Sequence, residues 1–261
     1  MNITEKSSLL PGIESVLRNY APITLEQLQA DHLMSRFDEK YVFHLSRLKP
    51  FLKELRSNYT VLSVNDKLMA QYENIYFDTP DLKSYHDHHN GITTRYKIRF
   101  RRYNDSGHCF LEVKRKDNRG CTNKERLPVD TLSREMNEEQ NNFLSERTKG
   151  FPLPLLPSLS NNFFRITLVN EPLRERVTID LLIHFKNEMR EKNLEEVVIA
   201  EVKQERHYYD SAFKKLMQRE RIFPVNISKY CMGTLLTHPG IKYNRFKPKL
   251  ITLNKICDGI A

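Results

Sequence analysis

Basic side chains occupy every second position in one segment of the chain. Residues 95–103 place Arg95, Lys97, Arg99 and Arg101 at one parity, with apolar side chains between them. Successive side chains of a β-strand point to opposite faces, so these cations would share one face of a sheet. Because like charges directly opposite one another on a sheet are destabilising, a cationic face of this kind predicts a bound polyanion.

The same alternation recurs in six further segments. Their charged positions of one parity are Asp38 and Lys40, Glu112 and Lys114, Lys124 and Arg126, Arg165, Arg176 and Asp180, and Glu201 and Lys203. Any one of these segments could be an amphipathic strand whose charged face meets water. Seven together, mostly cationic, instead predict an internal face, since a solvated face usually mixes both signs.

These residue types suit phosphoryl-transfer chemistry. Arginine binds phosphate through two parallel hydrogen bonds, and lysine binds it as a point charge. Phosphoryl transfer depends mainly on neutralising and positioning the phosphate oxygens, and carboxylates are the hard oxygen ligands that Mg²⁺ or Mn²⁺ prefers. For Asp38, Glu112 and Asp180, a salt bridge to a neighbouring cation is an equal alternative to metal binding. Glu201 follows the apolar run 197–200 and is favoured as a metal ligand.

The elements that must position these side chains are about eight strands, mostly in antiparallel hairpin order. Alternation and turn residues predict strands at 36–44, 74–78, 95–103, 109–116, 122–128, 163–169, 174–183 and 196–205. Helical spacing predicts helices at 25–34, 46–58, 132–147, 187–194, 210–219 and 228–236, between a polar lead and a mixed basic and apolar tail at 246–257. We expect an α+β fold in which eight antiparallel strands close into a β-barrel tunnel surrounded by helices. Residues 1–261 would form a single domain with its core at about 30–235.

Composition narrows the function classes. The chain has 261 residues, a formal net charge of +9 and only 8 glycines, and it contains no Gly-rich phosphate-loop motif. The cations follow a strand parity rather than a helix face, which argues against a nucleic-acid partner. We find no signal peptide and no apolar run long enough to span a bilayer, so we expect a cytoplasmic protein without a membrane segment.

Cysteine and histidine positions indicate no additional site. No pair among the 4 cysteines has the spacing of a zinc site, so we expect reduced thiols. The His-rich stretch 85–89 is interpreted as a solvated loop that could contact a ligand at the tunnel mouth. The basic stretch 242–249 is interpreted as a solvated face.

An ordered set of segments resembles the VTC domain, the catalytic polyphosphate-polymerase domain of the vacuolar transporter chaperone complex. The segments are RFDEKYVF (36–43), NIYFDTPDL (74–82), KIRFRRY (97–103), LEVKRK (111–116), NKER (123–126), FFRITL (163–168), RVTID (176–180), IAEVK (199–203) and FPVNISKYCMG (223–233). That domain belongs to the triphosphate tunnel metalloenzymes, whose fold is an eight-stranded antiparallel tunnel. The resemblance covers about residues 30–235 in the expected order.

The resemblance implies roles for particular residues. The cations that it places on the tunnel wall, in contact with phosphates, are Lys40, Arg99, Arg101, Lys114, Lys124 and Arg165, with Arg126, Arg176 and Lys203 as further tunnel cations. Lys229, next to Ser228, resembles a late phosphate-binding lysine, and Glu201 resembles the metal-binding glutamate that would hold Mn²⁺ or Mg²⁺. In this scheme Arg99, Arg101, Lys114 and Arg165 hold the transferred phosphate while Glu201 places the metal.

Two departures from the family pattern affect the expected reaction. Phe163 stands where the family often has an aromatic hydroxyl. The first strand reads Arg36-x-Asp38-x-Lys40 where hydrolytic tunnel enzymes carry Glu-x-Glu-x-Lys, which weakens a second metal site. We therefore expect a polyphosphate polymerase that uses ATP or another nucleoside triphosphate. A tripolyphosphatase or nucleoside triphosphatase, and a non-catalytic sensor of polyphosphate or inositol phosphates, are the alternatives. The sequence predicts no oligomeric state.

Overall fold

The eight predicted strands are all present in the predicted order, together with further strands and helices. The computed structural model of the chain describes residues 3–30, 37–119, 121–148, 150–205 and 210–259. The strands are β1 (Pro22–Ile23), β2 (Phe37–His44), β3 (Thr60–Leu62), β4 (Ala70–Asp78), β5 (Arg95–Tyr103), β6 (Cys109–Lys116), β7 (Thr122–Val129), β8 (Leu156–Asn170), β9 (Glu175–Lys186), β10 (Glu191–Leu194) and β11 (Val197–Gln204). The α-helices are α1 (Ile3–Leu17), α2 (Leu25–Ala30), α3 (Leu48–Leu55), α4 (Lys83–Asn90), α5 (Glu138–Arg147), α6 (Ala212–Arg219), α7 (Lys229–Thr237) and α8 (Lys247–Cys257). Short 3-10 turns span Leu45–Arg47 and Asn244–Phe246.

Eight strands form one continuous hydrogen-bonded path. Their order is β2-β11-β9-β8-β4-β5-β6-β7, and every neighbouring pair is antiparallel. Strands β1, β3 and β10 extend the sheet outside this path, and β1 pairs with β3 in parallel. The predicted large antiparallel sheet with surrounding helices is therefore confirmed.

The predicted closure of this sheet into a barrel is not confirmed. Strands β2 and β7 end the path, and no backbone pairing joins them within the described ranges. The outer edge of β2 has another partner, because the Val225 amide donates a hydrogen bond to the Lys40 carbonyl over 2.7 Å. The sheet is open, with the segment that precedes α7 lying along one edge.

The face of the sheet opposite the cations is buried under helices. On β5 and β6, the side chains of Ile98, Phe100 and Leu111 are fully buried together with Leu144 of α5. A second cluster packs α1, α3 and α6 against β2, β8, β9 and β11, and a third includes residues of α4, α7 and α8. The period-2 pattern therefore places the apolar parity of these strands in the core, where burial stabilises the fold.

The segment predicted to be a helix at 187–194 is a β-hairpin instead. The amide of Asn187 donates to the Arg190 carbonyl over 2.9 Å, and the Asn187 side chain accepts hydrogen bonds from the amides of Met189 and Arg190. This side-chain bonding stabilises a turn, a role in which asparagine competes with helix formation. The turn directs Leu194 on β10 into the core, where it is buried.

Three helices occupy segments that the sequence analysis assigned otherwise. The polar lead contains α1, whose Ile13, Val16 and Leu17 are buried at helical spacing against a cluster shared with α3. The His-rich stretch 85–89 belongs to α4, and the tail at 246–257 forms α8. Their helical character was missed because polar and aromatic residues dominate α4 and because α8 shows only a weak apolar periodicity.

Two predicted boundaries lie partly outside the described residues. The predicted first strand begins at Arg36, which the structure does not describe, and β2 is observed from Phe37. The predicted helix at 25–34 is observed as α2 up to Ala30, and residues 31–36 are not described.

Candidate functional site

The inner face of the curved sheet surrounds a cavity of about 680 Å³. All eight strands of the continuous path contribute to its wall, together with the N-terminal end of α7. Its lysines and arginines are Lys40, Lys97, Arg99, Arg101, Lys114, Lys124, Arg126, Arg165, Arg176, Lys203 and Lys229. This volume lies within the range of about 300–1,000 Å³ that is typical of ligand sites.

One group of cations on the wall is organised by Glu112. This carboxylate, which is 1% exposed, accepts hydrogen bonds from Arg99 over 2.6 and 2.9 Å and from Lys124 over 3.0 Å. The Arg101 guanidinium lies 4.0 Å away. Burial opposes ionisation of Glu112, but the three neighbouring cations outweigh it and hold the pKa of this carboxyl well below its usual range. Glu112 is therefore an anion shared among three cations.

A second group of cations surrounds Asp180. The Arg165 guanidinium donates two hydrogen bonds to this carboxylate, over 2.6 and 2.7 Å, and Lys229 of α7 donates a third. Asp180 is 2% exposed, and despite its burial the two cations hold its pKa below the usual range. The ion pair also joins α7 to β9, because its two partners lie on different elements.

Glu201 lies between lysines of its own strand and of β2. Its carboxylate oxygens are 2.6 Å from the Lys203 ammonium and 3.5 Å from the Lys40 ammonium. Burial opposes ionisation here as well, but the lysines outweigh it and hold the pKa of Glu201 well below its usual range. Glu201 is therefore an ionised carboxylate on the cavity wall, and a metal ion bound there would share it with these two lysines.

Several wall lysines are destabilised in their charged form. Burial, together with the charges of Lys97 and Lys40, lowers the pKa of Lys114 to about 7. Burial likewise lowers the pKa of Lys97 and of Lys229 to about 8, the latter in spite of Asp180. Strands β5 and β6 place Lys97 and Lys114 directly opposite one another, and the Lys97 ammonium donates to the Ser228 hydroxyl over 3.0 Å. A bound polyanion would relieve this mutual repulsion.

Aromatic rings also line the cavity, in a continuous row across four strands. We call this row the aromatic row; its members are Phe163, Tyr72, Tyr103, Phe110 and His108. Neighbouring ring centroids are 5.3, 4.9, 6.0 and 6.3 Å apart in that order. Guanidinium groups lie over several of these rings, including Arg165 over Tyr72 at 4.8 Å.

The predicted site residues converge, with two exceptions. The predicted residues on the cavity wall are Lys40, Arg99, Arg101, Glu112, Lys114, Lys124, Arg126, Arg165, Arg176, Glu201, Lys203, Ser228 and Lys229. Asp180 is not on the wall itself and lies behind Arg165 and Lys229. Asp38 lies near the start of β2, with its carboxylate 3.6 Å from the Lys203 ammonium.

Some wall residues were missed by the sequence analysis. Lys97 was recognised on the cationic face but was not assigned a role, and the tyrosines Tyr72, Tyr76 and Tyr103 were not assigned to the site at all. The signal for Tyr72 and Tyr76 was present, because they alternate with other residues along the segment that forms β4. The strand predicted there began at residue 74, which left Tyr72 outside it.

The histidines of α4 do not contact the cavity. His88 and His89 pack against Phe246, and the His88 ring nitrogen lies 3.1 Å from the Cys231 sulfur. The interpretation of this stretch as a loop at the tunnel mouth is wrong, because it is a helix, and its His88 and His89 pack against Phe246. All four cysteines are free thiols.

The side chains of the cavity indicate how a metal ion could be bound. Among the described residues, no group of three or more histidine, cysteine, aspartate or glutamate side chains is placed to hold a metal ion. Mg²⁺ and similar ions are commonly held by one or two carboxylates together with substrate phosphates. Glu201, an ionised carboxylate on a wall of lysines and arginines, fits that second arrangement.

Most of the chain matches a known protein family. The VTC domain family matches residues 35–238 of the chain. No curated protein matches the chain. No helix within the described residues has the length and apolar character needed to cross a membrane.

Three solved structures illustrate the structural similarities. A candidate adenylyl cyclase from Hippeastrum, described as having a dominant triphosphatase activity, is 12% identical with a TM-score of 0.46, covering 79% of this chain and 98% of its own. A candidate adenylate cyclase from Bacillus halodurans is 12% identical with a TM-score of 0.44, covering 76% and 96%. The Pct1 RNA triphosphatase of S. pombe is 11% identical with a TM-score of 0.29, covering 100% and 91%.

Proposed function

The chain belongs to the VTC domain family, and from this premise we propose that it is a metal-dependent polyphosphate polymerase. The reaction transfers the terminal phosphate of ATP or another nucleoside triphosphate to a growing polyphosphate chain inside the cavity. In this proposal the curved sheet acts as the tunnel, and residues 1–261 work as one domain.

The observation that carries the proposal is the convergence of cations from eight strands on one cavity. A linear polyphosphate carries a negative charge on each unit, so it can pair with lysines and arginines along the whole wall. Arg99 and Arg165 are held rigidly by Glu112 and Asp180, which leaves their remaining N–H groups oriented for phosphate oxygens. Fixed donors of this kind stabilise charge that develops on a transferring phosphoryl group.

We propose the following roles for the wall residues. Arg99, Arg101, Lys114 and Arg165 hold the phosphate that is transferred, and Glu201 binds the divalent metal. The further phosphate-binding residues are Lys40, Lys124, Arg126, Arg176, Lys203, Ser228 and Lys229. A bound Mn²⁺ or Mg²⁺ would neutralise charge on the phosphate oxygens and fix their orientation.

The contacts of the other candidate carboxylates favour salt bridges over metal binding. Glu112 and Asp180 are almost completely buried, and both oxygens of each accept hydrogen bonds from cations. Glu201 also pairs with two lysines, but its side chain is 17% exposed and the Lys40 ammonium is 3.5 Å away. Asp38 lies beside Lys203 and off the cavity wall. A second metal would therefore lack a protein ligand here, which disfavours the activation of a water molecule and supports transfer to a phosphate acceptor over hydrolysis.

Incubation of the protein with ATP and Mn²⁺ tests the proposal. We expect a ladder of polyphosphate chains on a gel, and chelation of the metal should abolish it. Glu201→Gln should lower the rate by about 10²–10³-fold, the loss that follows removal of one transition-state stabilising group. Glu191→Gln, an exposed carboxylate on β10, is the matched control and should leave the rate unchanged.

Two outcomes would contradict the polymerase. Free phosphate without chain product would identify the tripolyphosphatase or nucleoside triphosphatase. Tight binding of polyphosphate with no turnover under any metal would identify the sensor.

A further inference from the structure

The aromatic row divides into two parts by the exposure of its rings, since Phe163 and Tyr72 are buried whereas Phe110 and His108 are not. At the Phe163 end, cations lie over the rings: Arg165 is 4.8 Å from the Tyr72 centroid, and the Lys229 ammonium is 4.8 Å from the Phe163 centroid. Arg101 likewise lies over Tyr72 at 5.2 Å. These rings support the cations that face the phosphates, through cation–π contacts.

The other end of the aromatic row is more open. Phe110 is partly exposed and His108 is exposed, and the two rings are nearly parallel, with an interplanar angle of 22°. The ring nitrogen of His108 lies 3.0 Å from the Ser106 hydroxyl, which fixes the orientation of the imidazole. The Arg126 guanidinium lies over Phe110 at 5.2 Å.

The surroundings of this end include a turn that is held by hydrogen bonds. Leu62 and Val64 add apolar side chains to the lining of the same cavity. The turn after β5 is tied down by Asp105, whose carboxylate accepts from the Lys67 ammonium over 2.8 Å and from the Gln71 amide over 2.7 Å. A planar, partly apolar surface held in place in this way suits a flat heterocycle.

Polyphosphate has no apolar surface, so polyphosphate binding does not explain the aromatic rings at this end of the cavity. A nucleoside triphosphate explains them, because its base has two flat faces and its phosphates are anionic. Arg126 lies on the same parity of β7 as Lys124, so this end of the aromatic row is adjacent to the cations around Glu112. A base stacked here would leave its triphosphate pointing toward those cations.

We propose that Phe110, His108 and Arg126 form the binding site for the base of the nucleoside triphosphate donor. The inference rests on the proposed function, since it names where the donor of that reaction is held. Base–aromatic stacking tolerates all bases, so the site accepts purines and pyrimidines and discriminates nucleotides from inorganic polyphosphate.

Binding of ATP and of inorganic tripolyphosphate to the full chain tests this inference. Dissociation constants are measured by calorimetry in EDTA, which stops metal-dependent turnover. Phe110→Ala should raise the Kd for ATP about tenfold, as expected for loss of one stacking contact, and should leave the Kd for tripolyphosphate nearly unchanged. His108→Ala, at an exposed position where folding is not at risk, should shift the ratio of the two constants in the same direction.

His184→Ala on β9, outside the cavity, is the matched control and should leave the ratio unaltered. An unchanged ratio in both Phe110→Ala and His108→Ala would overturn the inference. Failure of the polymerase assay with a shifted ratio would remove the proposed function and keep the base site. Chain synthesis with an unchanged ratio would keep the proposed function and remove the base site.

Discussion

Two buried carboxylates determine how the cavity presents its cations. Glu112 holds Arg99 and Lys124, and Asp180 holds Arg165 and Lys229. Each carboxylate cancels part of the positive charge while it fixes the side chains that remain. Removing a buried partner leaves its cations without a compensating charge. These carboxylates therefore weaken the attraction for a polyanion and improve the orientation of the groups that bind it.

Glu112→Gln separates these two effects. Loss of the negative charge should lower the Kd for tripolyphosphate about threefold or more, because an unscreened cation beside the ligand strengthens the Coulomb attraction. The rate of chain synthesis should fall about tenfold, because Arg99 and Lys124 lose the group that positions them. Calorimetry and a chain-synthesis assay measure the two quantities, and a melting curve confirms folding.

Glu125→Gln on the adjacent strand is the control for this substitution. Glu125 pairs with Arg147 away from the cavity, so binding and rate should both be retained. Weaker binding with an unchanged rate in Glu112→Gln would contradict the positioning role.

At the scale of the elements, α7 brings Ser228 and Lys229 to the cavity by packing closely on the sheet. Ser228 caps the helix by accepting a hydrogen bond from the Cys231 amide. The contact depends on Gly233, because a Cβ atom there would lie 2.5 Å from the side chains of Leu159 and Phe185. Phe185 is fully buried, so its ring has no room to move aside.

Gly233→Ala should therefore destabilise the protein by about 1–3 kcal/mol, the usual range for overpacking a core. The added methyl group should also push α7 away from the sheet. This shift should weaken tripolyphosphate binding, because it displaces Lys229 from Asp180. Chemical denaturation and calorimetry measure these effects. Gly12→Ala in α1, where the nearest atom is the Lys49 ammonium at 3.7 Å, is the matched control. It should be neutral or slightly stabilising, and equal losses in both variants would refute the packing argument.

The predictability of these elements follows from how local their signals are. Strands β5 and β6 were predicted with their observed bounds, because alternation and the turn between them lie within a short stretch of sequence. The parity of the wall cations was predictable for the same reason. The pairing of Asp180 with Lys229 was not, since it joins residues 49 positions apart whose contact depends on how α7 packs. The proposed base site was not predicted, because the pairing of Phe110 and His108 on one segment with Arg126 of the next strand, β7, is set by the sheet rather than by a local motif.

At the scale of the whole molecule, the chain carries a formal net charge of +9, and many of its lysines and arginines line the cavity. Binding of a polyanion there should therefore be coupled to the binding of protons. Burial lowers the pKa of Lys114 to about 7, together with the charges of Lys97, Lys40 and Lys203 and against the opposing charge of Glu201. In the free protein Lys114 therefore loses its proton readily as the pH rises through this value. A bound polyanion raises the pKa of Lys114 again, so binding takes up protons.

The affinity for tripolyphosphate should consequently fall as the pH rises from 7 to 9, by about tenfold for one coupled amine. The last proton of tripolyphosphate also ionises in this range, because the negative charge already on the chain opposes its loss, but this effect is the same for every variant. The difference between the parent protein and Lys114→Arg therefore isolates the contribution of the amine. Kd values at pH 7, 8 and 9 measure the effect. Lys114→Arg should flatten the profile, because arginine stays charged. Lys67→Arg, at an exposed lysine, should not, and identical profiles in Lys114→Arg and the parent protein would contradict the coupling.

The tyrosines on the cavity wall give the protein a built-in optical reporter. The chain contains no tryptophan and 12 tyrosines, so tyrosine dominates its near-ultraviolet emission. Tyr72, Tyr76, Tyr103 and Tyr230 line the cavity, and Arg101 lies over the rings of Tyr72 and Tyr103. A ligand that draws these guanidinium groups toward its phosphates changes the surroundings of the emitting rings. Occupancy of the cavity can thus be followed by intrinsic fluorescence, without a label and in real time.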